Sequence, residues 1–137
     1  MIRASLLPFC TSEHYDRVAH TYGKSYPELA RGLACDYASA PDVVAYPRNE
    51  GDVKAVLDWA GSADATVTPF GGGSSVCGGV EPKRNGHKGA VTVDLRQMDK
   101  VKEVDKTSRA ALIEGGSAAK KALDPQGLLN PGVLIDP

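Results

Sequence analysis

Apolar residues near the N-terminus of this chain follow helical rather than strand-like spacing. Ser12 is placed to begin a helix that runs to about His20. Residues 25–28 have the Ser-x-x-Glu spacing of a capping box, and a proline in the first turn favours a second helix there. We therefore predict a helical segment over residues 1–38, with a loop that extends to Pro41.

A strand, a helix and another strand are predicted next. The β-branched run at residues 43–46 indicates a short strand. Asn49 can cap the following helix, whose apolar residues recur at i, i+3, i+4 and i+7 from Val53. Residues 66–68 indicate the second strand. A strand–helix–strand order predicts parallel strands joined by a right-handed crossover.

The rest of the sequence predicts one more strand and a hairpin. Residues 81–89 are polar and indicate a solvated connection. Apolar positions 91, 93 and 95 alternate with polar ones, which is typical of a half-buried strand. Apolar runs at 101–104 and 110–113 flank a polar turn and predict a β-hairpin. The predicted fold class is α+β, a mixed sheet with helices before and beside it.

Composition narrows the classes of partner. The chain has 137 residues, with 16 basic and 17 acidic side chains, a balance that argues against non-specific binding to nucleic acid or anionic membrane. No apolar run is long enough to span a bilayer, and none near the N-terminus resembles a signal peptide. The cysteines at 10, 35 and 77 lack metal-ligand spacing. We expect one cytoplasmic domain with free thiols and no metal.

The most distinctive stretch is the glycine loop (residues 71–79), in which five of nine residues are glycine. Successive glycines let the backbone adopt positive φ and approach a bulky group closely. Consecutive N–H groups in such a turn form a concave nest that binds anions, most often phosphate. Ser74 and Ser75 add hydroxyl donors. The loop is therefore a candidate phosphate site, with a flexible surface loop as the alternative.

Two common phosphate-binding motifs fail on spacing. A P-loop that ends at Gly23-Lys24-Ser25 would need glycine where Val18 stands. A Rossmann turn would need glycine at Val76 and a helix after it, yet two more glycines and a proline follow. An anion on this loop would thus be held by amides and hydroxyls without a helix dipole.

Several motifs in sequence order resemble the flavin-binding domain of the vanillyl-alcohol-oxidase type, also called the FAD-binding PCMH-type domain. In particular they resemble alkylglycerone-phosphate synthases and related bacterial FAD-linked oxidases. Residues 20–25, the upstream segment, resemble the stretch before that domain. The resemblance implies N-terminal helices followed by a mixed α/β FAD-binding subdomain. The motifs span residues 40–47, 69–76 and 93–101, the helix to Trp59 and Ala60, and the hairpin through Gly116.

The resemblance also implies non-covalent FAD, with its pyrophosphate on the backbone amides of residues 71–76. Relatives that attach FAD covalently use a histidine where Ser74 stands, so we expect no covalent link. His14, His20 and His87 are expected to be solvated or to cap helices, with a cofactor or substrate role for His20 as the alternative. The implied cofactor-binding residues are Gly71, Gly72, Gly73, Ser74, Ser75, Val76, Gly78 and Asn130.

After Gly116 the resemblance shifts to the family's C-terminal tail, at residues 117–137. We expect residues 39–116 to be the first part of an FAD-binding domain, incomplete because the family's next helix, its second flavin-contacting segment and its substrate domain are missing. That domain supplies the groups above the reactive flavin ring, so no catalytic residue is identified.

The expected function is an FAD-binding module of an FAD-dependent oxidoreductase or alkylglycerone-phosphate-synthase-like enzyme. A small-molecule substrate is expected only in longer relatives. The alternative is a non-enzymatic, truncated remnant that binds no flavin. In either case, uncovered apolar surface would favour self-association.

Overall fold

The computed structural model describes Leu6 and residues 8–115 of the chain. The expected tail at 117–137 and its Asn130 lie outside the described residues. A 3-10 turn, Leu95–Gln97, follows the fourth strand. The elements are β1 (Cys10–Thr11), α1 (His14–Ala19), α2 (Tyr26–Leu33), β2 (Val43–Ala45), α3 (Glu50–Ser62), β3 (Ala65–Phe70), β4 (Gly89–Asp94), β5 (Val101–Asp105) and β6 (Ala110–Ile113).

Four strands form a mixed sheet in the order β1-β2-β4-β3, which confirms the predicted fold class. β4 runs parallel to both β2 and β3, while β1 pairs antiparallel with the outer edge of β2. The strands on either side of α3 are therefore parallel, as predicted, but β4 lies between them. β5 and β6 form the predicted hairpin as a separate two-stranded sheet.

β4 is buried along most of its length, so the prediction of a half-buried strand is wrong. Val91 and Val93 belong to the hydrophobic core with Trp59 of α3. The alternate residues, Thr92 and Asp94, are equally buried on the opposite face of the sheet. That face is covered by the chain after α1, where His20 hydrogen-bonds to Asp94.

Helix α2 begins with the capping box predicted from residues 25–28. The Ser25 hydroxyl oxygen accepts the Glu28 N–H at 3.4 Å, and the Glu28 carboxylate accepts the Ser25 N–H at 3.1 Å. Helix α1, in contrast, is not capped by Ser12. Its N-cap residue is Glu13, whose N–H donates to the Thr11 hydroxyl.

We expect Ser25→Ala to lower the free energy of unfolding by about 1–2 kcal/mol, because it removes a cap from a helix N-terminus and a partner from buried Glu28. Urea denaturation followed by circular dichroism measures the change. Ser12→Ala is the matched control and should shift the free energy by less than about 0.5 kcal/mol. Equal losses in the two variants would contradict the observed capping pattern.

Among the described helices, none combines the length and apolar character needed to cross a membrane.

Candidate functional site

The glycine loop follows the C-terminal end of β3, and no helix forms between β3 and β4. This agrees with the exclusion of a Rossmann turn, which needs a helix directly after its glycines. Gly73 has φ +65°, and a Cβ there would lie 2.8 Å from the ring of Phe70. At Gly71 and Gly72, a Cβ would meet no atom within 4 Å. The loop is therefore packed beneath Gly73 and open along Gly71 and Gly72.

The backbone amides of the loop are the donors it presents. Within the described residues, the N–H groups from Gly72 to Val76 have no hydrogen-bond partner. Gly73 has a positive φ, whereas its neighbours Gly72 and Ser74 do not. When the sign of φ alternates in this way, successive N–H groups point toward a common centre. These amides suit an anion with several oxygens.

Ser75 fixes the loop from both sides. Its hydroxyl oxygen accepts the Gly79 N–H at 3.0 Å, and its carbonyl accepts the Lys24 N–H at 2.7 Å. The upstream segment packs so closely here that a Cβ on Gly23 would lie 2.5 Å from the Ser75 carbonyl oxygen. The loop and the upstream segment thus form one wall.

We expect Gly23→Ala to lower the free energy of unfolding by about 1–3 kcal/mol, because the new methyl group must displace backbone at Ser75. Chemical denaturation of the ligand-free protein measures this. Gly71→Ala, whose methyl group enters open space, is the control and should leave stability unchanged or slightly raised. A Gly23→Ala protein as stable as the control would show that the contact is not tight.

A cavity of about 320 Å³ borders the glycine loop. This volume lies at the small end of the range for ligand sites. Aromatic and charged side chains make up most of its wall, a composition that suits a planar or anionic ligand. The lining residues are Tyr15, Asp16, Ala19, His20, Tyr22, Lys24, Tyr46, Phe70, Gly72, Gly73 and Arg96.

His20 and Arg96 of the cavity wall form a polar cluster with the buried Asp94. The His20 Nε2 is 2.9 Å from Asp94 Oδ2, and the Arg96 Nε lies 3.0 and 2.9 Å from the two Asp94 oxygens. Burial by itself raises the pKa of Asp94, but the hydrogen bonds from His20 and Arg96 outweigh it and lower the pKa from 3.8 to about 2. Asp94 is therefore ionised at neutral pH.

His20 is held on every side. Its Nδ1 is 2.7 Å from the backbone oxygen of Asp16, so both ring nitrogens face acceptors. Its ring packs against Phe70, with centroids 4.6 Å apart, and lies edge-on to Tyr46. As the C-cap residue of α1 it confirms the expected capping role. The expectation of solvation is wrong for His20, because the residue is only 3% exposed.

Tyr46 links the polar cluster to α1. Its hydroxyl donates to Asp16 Oδ1 at 2.7 Å. Burial, followed by this hydrogen bond, raises the pKa of Tyr46 well above its ordinary value. The phenol therefore stays protonated and serves as a fixed donor.

These contacts favour a binding role for the site over acid–base chemistry. Both ring nitrogens of His20 lie within hydrogen-bond distance of protein atoms, and Asp94 is already paired with His20 and Arg96. Within residues 8–115, no three His, Cys, Asp or Glu side chains are grouped as metal ligands. The arrangement can accept an anion on the loop amides, beside the cationic groups of Lys24 and Arg96.

The predicted cofactor residues from Gly71 to Gly78 all lie in the glycine loop, but only Gly72 and Gly73 line the cavity. Val76 is 74% exposed. His14 is exposed, and His87 pairs with Asp64 at the protein surface.

Sequence reasoning missed Lys24, Tyr46 and Arg96 as cavity-lining residues. A signal was available for all three, since the segments that contain them, 20–25, 40–47 and 93–101, share the family resemblance. No sequence spacing connects Tyr46 or Arg96 to the glycine loop, because only the folded sheet brings them there.

Comparison with known proteins agrees with this fold. A family model described as an FAD binding domain matches residues 41–133. The alkyldihydroxyacetonephosphate synthase of Dictyostelium discoideum is 33% identical over 115 residues, which is 82% of this chain and 19% of that protein. The enzyme of the same name from Trypanosoma brucei brucei is 34% identical over 103 residues, covering 74% of this chain and 17% of its own. Dihydroxyacetone is another name for glycerone.

More distant similarity extends to oxidases. Glycolate oxidase subunit GlcD of Bacillus subtilis is 26% identical over 98 residues, which cover 69% of this chain and 20% of that protein. The chain spans about a fifth of the length of the curated relatives it matches. The family match continues past residue 116, so the boundary expected there stays a prediction.

Solved structures of alkyldihydroxyacetonephosphate synthase superpose on the chain. One, in space group P212121, has a TM-score of 0.75 at 31% identity and covers 89% of this chain and 23% of its own. Another, in P1, has the same TM-score at 27% identity. The sheet and helices described above therefore correspond to part of a larger flavoprotein fold.

Proposed function

The chain belongs to the family of FAD binding domains. We propose that it binds FAD non-covalently and that its main contacts are with the diphosphate of the cofactor. The amides of residues 71–76 hold the phosphate oxygens, and the Ser74 and Ser75 hydroxyls add donors. The single observation that carries the proposal is the run of unpartnered N–H groups from Gly72 to Val76. Gly73, in the middle of this run, is a buried residue, and buried backbone donors are rarely left unpaired in folded proteins.

The loop also fits the shape of a cofactor cradle. Gly71 and Gly72 leave open space where side chains would otherwise stand, and the neighbouring cavity carries two cationic side chains, Lys24 and Arg96. Ser74 stands where relatives with covalent FAD have a histidine, so this position lacks the imidazole that would form the covalent bond.

Bound FAD supplies the redox chemistry, and the protein supplies position and electrostatics. We place the chain in the FAD-dependent oxidoreductase or alkylglycerone-phosphate-synthase class, as the cofactor-binding module. Among the described residues, the side chains of His20, Asp94 and Arg96 are hydrogen-bonded to one another. We therefore propose that this module holds the cofactor and does not itself turn over a hydroxy acid or a glycerone phosphate.

Thermal unfolding with added ligand tests the proposal. A ligand that binds only the folded state at about 100 times its Kd stabilises that state by about 2.7 kcal/mol, which shifts Tm by several degrees. FAD should raise Tm, whereas riboflavin, which lacks the diphosphate, should raise it much less. An unchanged Tm at millimolar FAD would contradict the proposal.

One observation favours a second candidate, a domain that binds no flavin on its own. Val104, Leu112 and Ile113 of the β5–β6 hairpin are exposed, and an isolated two-stranded sheet is marginally stable. Such a surface also favours self-association. Concentration-dependent oligomers together with no response to FAD would support this candidate.

A further inference from the structure

We propose that Lys24, which lies before the residues matched by the family model, supplies the cationic group that binds the diphosphate on the glycine loop. This inference rests on the proposed function. Lys24 lines the same cavity as Gly72 and Gly73. Family membership does not assign it, because the match begins at residue 41.

The backbone of Lys24 is fixed against the loop. Its N–H donates to the Ser75 carbonyl at 2.7 Å, and a Cβ on the adjacent Gly23 would lie 2.5 Å from the same oxygen. The side chain of Lys24 thus starts from a defined point on the cavity wall. A lysine so anchored can deliver its ammonium group to a phosphate as a compact point charge with three donors.

Charge balance distinguishes Lys24 from the other cation of the cavity. The guanidinium of Arg96 is already bound to both oxygens of Asp94. Within the described part of the chain, no carboxylate forms an ion pair with the Lys24 ammonium. Asp16 also lines the cavity, where its carboxyl group accepts the Tyr46 hydroxyl. Of the two basic side chains on this wall, Lys24 is therefore the one that forms no ion pair with a described carboxylate.

The test compares ligands with and without the diphosphate. Isothermal titration measures the Kd of FAD, ADP, riboflavin and adenosine for the wild type and Lys24→Met at low salt. We expect Lys24→Met to weaken FAD and ADP about tenfold, as for loss of a hydrogen bond to a charged group. Riboflavin and adenosine, which lack phosphate, should be unaffected.

Two variants and one condition separate charge from packing. Lys24→Arg keeps the charge and should bind ADP within about threefold of wild type. Lys88→Met removes a lysine just before β4, at the opposite end of the sheet, and should leave every Kd unchanged. Raising the salt concentration should bring the ADP Kd values of wild type and Lys24→Met closer together, because salt screens exposed charges.

The outcomes separate this inference from the proposed function. Wild-type binding of FAD and ADP with no change in Lys24→Met overturns the role of Lys24 alone. An equal loss for riboflavin and ADP also overturns it, since that would indicate packing. A wild type that binds neither FAD nor ADP overturns both proposals.

Discussion

Gly72→Asp should weaken FAD binding by about 100-fold while leaving the ligand-free fold intact. The new carboxylate would stand beside the diphosphate, and two like charges about 4 Å apart repel by roughly 1–4 kcal/mol in a partly solvated site. The fold should survive, because a Cβ at Gly72 meets no atom within 4 Å and its φ is not positive. Titration of FAD into both proteins measures the ratio of Kd values.

Two further substitutions at the same position separate bulk from charge. Gly72→Asn has nearly the shape of aspartate without its charge, and Gly72→Ala adds only a methyl group to open space. Alanine should bind FAD within a few-fold of wild type, and asparagine should fall between alanine and aspartate. If aspartate binds as well as asparagine, no phosphate lies near Gly72 and the cradle assignment is wrong.

Asp94→Asn should lower the free energy of unfolding by about 2–4 kcal/mol at neutral pH, a large share of the 5–15 kcal/mol typical of a domain. The carboxylate is buried and holds both His20 and Arg96, which would lose their anionic partner. The loss stays below that for a fully buried ion pair because Arg96 is half exposed and can turn to water. Urea denaturation measures it, with Asp58→Asn as a surface control, expected below about 0.5 kcal/mol.

The same carboxylate makes stability depend on pH. The pKa of Asp94 is lowered in the folded state, from 3.8 to about 2. Its contribution is therefore complete above about pH 5 and is lost as the pH falls through 4 toward 2, by about 2 kcal/mol in all. The loss of stability between pH 7 and pH 3 should be smaller in Asp94→Asn. If the free energy of unfolding falls equally between pH 7 and pH 3 in the variant and the wild type, carboxylates other than Asp94 cause the acid sensitivity.

Local features of this fold could be predicted from sequence because their causes are local. The Ser25–Glu28 capping box and the Asn49 cap both form as their spacing predicts. The hairpin turn forms where Asp105 can accept the N–H groups of Thr107 and Ser108. The start of α1 differs by one residue because the Thr11 hydroxyl takes the N–H of Glu13.

The order of strands and the burial of β4 could not be predicted in this way. In the sequence, Val91 and Val93 alternate with Thr92 and Asp94. This pattern does not indicate whether the face that carries Thr92 and Asp94 is exposed to water or covered by protein. On that face Asp94 is hydrogen-bonded by His20, which is 74 residues away in the chain. The clue was chemical: an aspartate at the end of an apolar strand indicates a partner, but the sequence does not say which one.

For the candidate site, too, local features could be predicted from the sequence and long-range ones could not. The glycine loop is contiguous, so its residues were found together. The cavity beside it draws on α1, the upstream segment, the end of β2 and the turn after β4. The grouping of Lys24 and Arg96 around one cavity is therefore visible only when the sheet brings these segments to one edge.

Because β4 is the last strand of the main sheet to be synthesised yet lies between β2 and β3, both parallel ladders depend on its arrival. A nascent chain that has reached residue 88 can form its helices but neither of these ladders. Such distant pairings fold slowly, and here both must close around one strand. Phe70, whose ring packs against Gly73, pairs with Asp94 in the ladder between β3 and β4, so the strand that leads into the glycine loop gains this partner only after residue 94 has been synthesised.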